Sequence, residues 1–152
     1  MRTRRETLKQ GAAVAGLLAA TGLFPRYASA AWNSNAFEAK TVADVMKAFG
    51  AGAPAASTAV TLTAPDIAEN GAVVPMGVAT TLTGVKHLLV LVEKNPSPLV
   101  AKFDVSDAVD ANFLTRAKMG QSSDVYAVAI TTDGKALFSK KEVKVTLGGC
   151  GG

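Results

Sequence analysis

The sequence predicts an all-β sandwich of about seven strands with an N-terminal helix. Three observations carry this. Short apolar runs recur from residue 59 onward, separated by turn residues; only residues 35–49 show helical spacing; and no second long helical period follows.

The helix over 35–49 is set by Phe37, Val42, Val45, Met46 and Phe49. Asn35, or alternatively Ser34, is expected as its N-cap, with Glu38 as capping-box partner and Gly50 at the C-cap. Strands are expected over 59–62, 73–80, 85–93, 99–105, 112–119, 124–131 and 136–147. Pro75 and Gly77 mark 73–80 as an edge strand or a bulged one. The run 85–93 is apolar enough for a central strand, and 124–131 is apolar on both alternating faces. Asp133-Gly134 supplies a hairpin turn into the last strand.

That strand delivers the chain to Gly148-Gly149-Cys150-Gly151-Gly152. Glycine samples φ of either sign, so residues 148–152 are expected to form a mobile arm. Cys150 is the chain's only cysteine and lies two residues from the C-terminus, where exposure is the rule. A cysteine kept for packing needs no glycines around it, and a prenylation box would need three following residues. Three extended residues from Leu147 reach about 10 Å. A free thiol ionises near pH 8.5, and the arm has no cation of its own; Lys144 and the Lys140-Lys141 pair are the nearest. Cys150 is therefore suited to insertion into another protein's site rather than to catalysis.

At the other end, Arg4-Arg5 followed by Ala12–Phe24 and Ala28-Ser29-Ala30 has the order of a twin-arginine export signal. Thr7 stands where such signals most often carry Phe. The mature protein is expected to start at Ala31, giving a signal over 1–30, a sandwich domain over 31–147 and an arm over 148–152. The apolar stretch is too short for a membrane-spanning helix. The leader holds five of the sixteen basic residues and one of the twelve acidic ones, leaving eleven of each. A mature chain near neutrality gives no support for nucleic-acid binding, and after signal removal no membrane contact is expected.

Other chemistry is sparse. One His and one Cys cannot assemble a Cys/His zinc site. His87 has no catalytic constellation nearby and reads as a structural or surface histidine. Asp104, Asp107 and Asp110 recur at spacing three but lack the glycine and terminal glutamate of a calcium loop. No metal and no resident cofactor are expected. Two other uses of the tail are conceivable. A ubiquitin-like carrier would activate a terminal Gly-Gly carboxylate, but it needs ATP and is a smaller fold. A structural module would use Cys150 only for a disulfide-linked dimer.

The tail from Val143 to Gly152 resembles the C-terminus of the SoxY family of sulfur carriers. The likeness extends through Glu69–Pro75, Asn95–Leu99 and Met119–Ser122, and the leader fits as well. The resemblance implies an immunoglobulin-like sandwich, a non-enzymatic carrier role and a heterodimer with a SoxZ-like subunit that lacks its own signal. It implies covalent attachment of thiosulfate-derived sulfur to Cys150 on a swinging arm of Gly148, Gly149, Gly151 and Gly152. SoxAX-, SoxB- and SoxCD-like enzymes would act on it in turn in the periplasm, reached by the twin-arginine route through Arg4 and Arg5.

Overall fold

The computed structural model describes residues 4–20 and 33–146, in two units that divide after Trp32. The first holds helix α1 (Arg4–Ala20). Among the described residues no helix is long and apolar enough to cross a membrane.

The second unit opens with two helices where one is expected, α2 (Ser34–Glu38) and α3 (Val42–Ala48). Neither Asn35 nor Ser34 is the N-cap. Asn33 caps α2, its Oδ1 accepting from Ala36 N at 3.2 Å. Thr41 is extended and caps α3, accepting from Asp44 N at 3.1 Å and donating to Asp44 Oδ2 at 2.7 Å. This Thr-x-x-Asp box wins because a residue held extended by its own cap cannot continue a helix through position 41. The expected stop does hold. Gly50 takes φ +65°, donating to Lys47 O while Ala51 N donates to Met46 O, which closes the last turn as a Schellman motif.

Among the described residues nine strands follow: β1 (Ala55–Ala56), β2 (Val60–Thr63), β3 (Ile67–Ala68), β4 (Val74–Thr80), β5 (Val85–Val92), β6 (Leu99–Asp104), β7 (Asn112–Ala117), β8 (Ser123–Thr131) and β9 (Ala136–Val145). The seven longer ones match the expected strands. The two-residue β1 and β3, both parallel to β9, are too short to leave a periodic signal. The larger sheet has the order β1-β9-β8-β5-β6, with β3 also on β9, and the smaller is β2-β4-β7.

The two sheets face each other across a core that includes Val74, Met76, Val78, Leu88, Val90, Val125 and Ala127. On the larger sheet's other face, Leu89, Leu91, Val128 and Ile130 pack against Ala36, Val45 and Met46 of the helices. Successive side chains of a strand point to opposite faces. Covered by the helices on one face and by the smaller sheet on the other, the middle of β5 (Leu88 to Val92) and of β8 (Ala127 to Ile130) is buried and apolar at successive positions. That explains both continuous runs in the sequence.

Pro75 corrects another expectation. It lies in β4, the middle strand of its sheet, not an edge. The proline is tolerated because β2 pairs only with residues 77–80, so at position 75 the sole strand neighbour is Arg116 of β7. In the β8–β9 turn only Gly134 takes positive φ, at +81°, and Asp133 does not. The strand β9 ends at Val145, with Leu147 outside the described residues.

Candidate functional site

The last strand is held along most of its length by β8, whose backbone pairing ends at Ser123 opposite Val143. Beyond that point three other segments take over. On the outer edge, Lys144 N donates to Asp66 O at 3.0 Å and Thr146 N to Ala68 O at 3.1 Å. On the inner edge, where β8 has run out of backbone, Ser122 Oγ accepts from Val145 N at 2.9 Å. The hydroxyl thus extends the ladder by one residue.

The loop between β3 and β4 closes over the same point. Met119 N donates to Gly71 O at 2.7 Å. A Cβ on Gly71 would stand 2.4 Å from Met119 O and 2.9 Å from Val145 Cγ1, closer than side chains approach. Glycine is needed here for contact, not for positive φ, since Gly71 is not among the positive-φ glycines. Asn70 shapes the loop by accepting from Ala72 N at 2.9 Å. Asn95 Nδ2 donates to Lys118 O at 2.8 Å and anchors the strand-to-strand connection that carries Met119 and Ser122. Ser97 Oγ donates to Phe37 O, tying the same 95–98 loop to the helix layer.

The result is a clamp on residues 144–146, six residues before the C-terminus. Single-sequence reasoning found Glu69-Asn70-Gly71 only as a turn and gave Ser122 no role. The partners lie 23 residues or more from the residues they hold, so no local pattern connects them. Cys150, Gly148, Gly149, Gly151 and Gly152 lie outside the described residues. Arg4 and Arg5 are exposed in the first turn of α1.

The lysines near the clamp are mostly engaged. Lys140 Nζ lies 2.8 Å from Asp124 Oδ2 and 5.7 Å from the Tyr126 ring centre, and its pKa is raised, first by that carboxylate. Lys141 Nζ pairs with Asp66 Oδ1 at 2.9 Å and donates to Ala64 O at 2.7 Å. Of the three, only Lys144 has no carboxylate partner among the described residues. Its side chain is exposed.

Beside the clamp, the outer face of the smaller sheet is uncovered. Residues 63–65, 75–77 and 114–116 border a groove of about 690 Å³. Leu114, 84% exposed, leans over Gly77, where a Cβ would come within 3.1 Å of Leu114 Cδ2.

His87 sits elsewhere, on β5. Its Nδ1 donates to Asp104 Oδ1 at 2.7 Å, and Lys102 Nζ meets the same carboxylate at 2.7 and 2.8 Å. That lysine chiefly holds Asp104 below its usual value, so the carboxylate accepts and Nδ1 carries the proton. The Phe49 ring is 5.4 Å away. Asp104 is therefore committed to His87 and Lys102. Among the described residues no group of three His, Cys, Asp or Glu side chains could hold a metal.

Burial lowers the His87 pKa below 6.5, outweighing Asp104, which raises it. Between the lowered value and 6.5 the unfolded chain binds more protons than the folded one, so stability falls as pH drops through that window. His87→Gln is expected to flatten the decline of the urea midpoint from about pH 7 to about pH 5. Parallel declines in variant and parent would show that another group titrates.

A sequence profile described as "Sulfur oxidation protein SoxY" matches residues 45–150. The solved sulfur carrier protein SoxY from Chlorobium limicola f thiosulfatophilum is 36% identical, covering 69% of this chain and 96% of its own, with a TM-score of 0.60. A superoxide reductase (neelaredoxin) from Ignicoccus hospitalis is 12% identical, covering 57% of this chain and 79% of its own, at a TM-score of 0.51; that likeness is one of fold alone. No curated protein matches the chain in sequence.

Proposed function

Since the chain belongs to the SoxY family of sulfur oxidation proteins, a family of carriers, we propose that it bears thiosulfate-derived sulfur covalently on Cys150 and presents it to partner enzymes on the arm 148–152. The observation that carries this reading is the clamp on residues 144–146. It fixes the chain's last strand six residues from the end, and Cys150 is the fourth residue beyond it.

The chemistry follows from the thiol. A haem enzyme joins thiosulfate to Cys150: the Sγ–S bond forms, the thiol proton is lost, and an electron pair leaves to that enzyme. A hydrolase then adds water across the bond between sulfane and sulfonate sulfur. The hydroxyl ends on sulfate and the proton on the remaining persulfide, which a third enzyme oxidises where it is present. With Lys140 and Lys141 held by carboxylates, Lys144 is the one of these three lysines left without a carboxylate partner among the described residues. Activation then belongs to the enzyme that receives the arm. SoxAX-, SoxB- and SoxCD-like proteins are the enzymes in this reading, and a SoxZ-like subunit is the permanent partner. Folded and paired, the chain is exported to the periplasm through Arg4 and Arg5, and no cofactor resides on it.

Intact-mass analysis of the protein from thiosulfate-grown cells tests this. Reductant-labile adducts of sulfur or sulfonate mapping to Cys150 are expected. Unmodified chains and disulfide dimers alone would instead assign Cys150 to a structural link.

A further inference from the structure

The described body exposes four large apolar side chains, and two of them flank the clamp. Ile67 is 56% exposed and Val73 51%. Ile67 pairs with Lys144 across the β3–β9 ladder, with its neighbour Ala68 turned inward and buried, so Ile67 faces out beside the strand's end. Adjacent strands lie about 4.8 Å apart, which puts Ile67 within roughly 10 Å of Thr146. Val73 is two residues from Gly71, itself in contact range of Val145. Its backbone is tied to the same loop by Val73 N donating to Asn70 O at 3.3 Å.

The length of chain beyond the clamp makes this location matter. Cys150 is the fourth residue beyond Thr146, and four fully extended residue steps span at most about 14 Å. A centre that reacts with Cys150 must therefore come within about that distance of Thr146. If the centre lies at the bottom of a channel, each ångström of depth is subtracted from the clearance left at the mouth. The surface around Thr146 is then drawn against the enzyme whatever else the two proteins share. That surface carries both Ile67 and Val73.

We propose that Ile67 and Val73 form the docking face of this protein for one partner, the hydrolase that releases sulfate from the adduct on Cys150, through an apolar rim around the mouth of its active-site channel. This rests on the carrier reading above. Two aliphatic side chains make a small, transient contact, as a carrier that must leave each enzyme after one step requires. Apolar anchors at the centre of such an interface carry a disproportionate share of its affinity. The arm contributes reach, and the face contributes alignment.

The test uses the full complex, loaded on Cys150 with the thiosulfate adduct, and a purified sulfate-releasing hydrolase. The double variant Ile67→Asp/Val73→Asp is expected to raise KM for the loaded carrier about tenfold or more, with kcat at saturation little changed. Thiol reactivity towards a small disulfide reagent, measured on the unloaded complex, should stay at the parent's value. Val109→Asp is the control. Val109 is 46% exposed, but it precedes Asn112, which pairs with Ala79 at the end of the β4–β7 ladder opposite Val74 and Ala117, away from the clamp. An unchanged KM in the double variant, or an equal rise in Val109→Asp, overturns the proposal. Loss of the permanent subunit on purification of the double variant also overturns it, by assigning the face to that subunit. Failure of the carrier reading looks different: the parent protein itself would take up no adduct on Cys150.

Discussion

Cys150→Ser is expected to abolish thiosulfate-dependent sulfate release in a reconstituted system, the largest functional loss of any single substitution. The change removes one atom's identity and almost no volume. A serine hydroxyl cannot form the sulfur–sulfur bond that the proposed carriage requires, and the sequence has no second cysteine to replace it. Folding should be untouched, because the substitution falls past the clamp that ends β9. The measurement is therefore paired: sulfate release by the mixture, and the thermal midpoint of the variant. Full loss of the first with no change in the second is the expected result. Sulfate release at the parent rate would refute covalent carriage on this residue. It would leave carriage on the terminal carboxylate, which Cys150→Ser does not touch, as the reading to pursue.

Leu89→Ala is expected to be the most damaging test of the fold. Leu89 is fully buried on β5, between Lys102 of β6 and Val128 of β8, on the face that packs against the helices. Deleting its side chain leaves a cavity between two layers that cannot both collapse into it. The cost should be about 2–5 kcal/mol. Against a total of about 5–15 kcal/mol for a domain of this kind, that is a large fraction. The thermal midpoint should fall by about 10 °C or more. Leu114→Ala is the matched contrast, since Leu114 is 84% exposed and its truncation should shift stability by less than about 0.5 kcal/mol. A loss for Leu89→Ala as small as that for Leu114→Ala would mean that α2 and α3 contribute no packed layer.

The helix layer also shows where reading one chain succeeds and fails. The apolar spacing of Val42, Val45, Met46 and Phe49 and the stop at Gly50 are local, and the structure keeps both. The break at 39–41 is missed because Thr41 and Asp44 compete with a weaker capping pattern upstream. The Thr41–Asp44 cap sets the break, and the segment before it is held by Ala36 and Ala39 packed against the sheet. Pro75 misleads for a related reason. A proline argues against a central strand when both neighbours run its full length, and here β2 stops two residues short.

At the candidate site the division is sharper. Composition alone marks the tail: glycines without Cβ atoms around a lone cysteine have few folded uses, and that inference needs no neighbours. Alternation of side chains likewise sets the strands, because a strand's two faces are encoded every second residue. What the tertiary structure decides is where the tail begins. Asp66, Ala68, Gly71 and Ser122 meet Lys144, Val145 and Thr146 across separations of 23 to 78 residues. A hydrogen bond between such distant positions leaves no periodicity and no spacing in the sequence. It exists only once the sheets have packed and brought three loops to one strand's end.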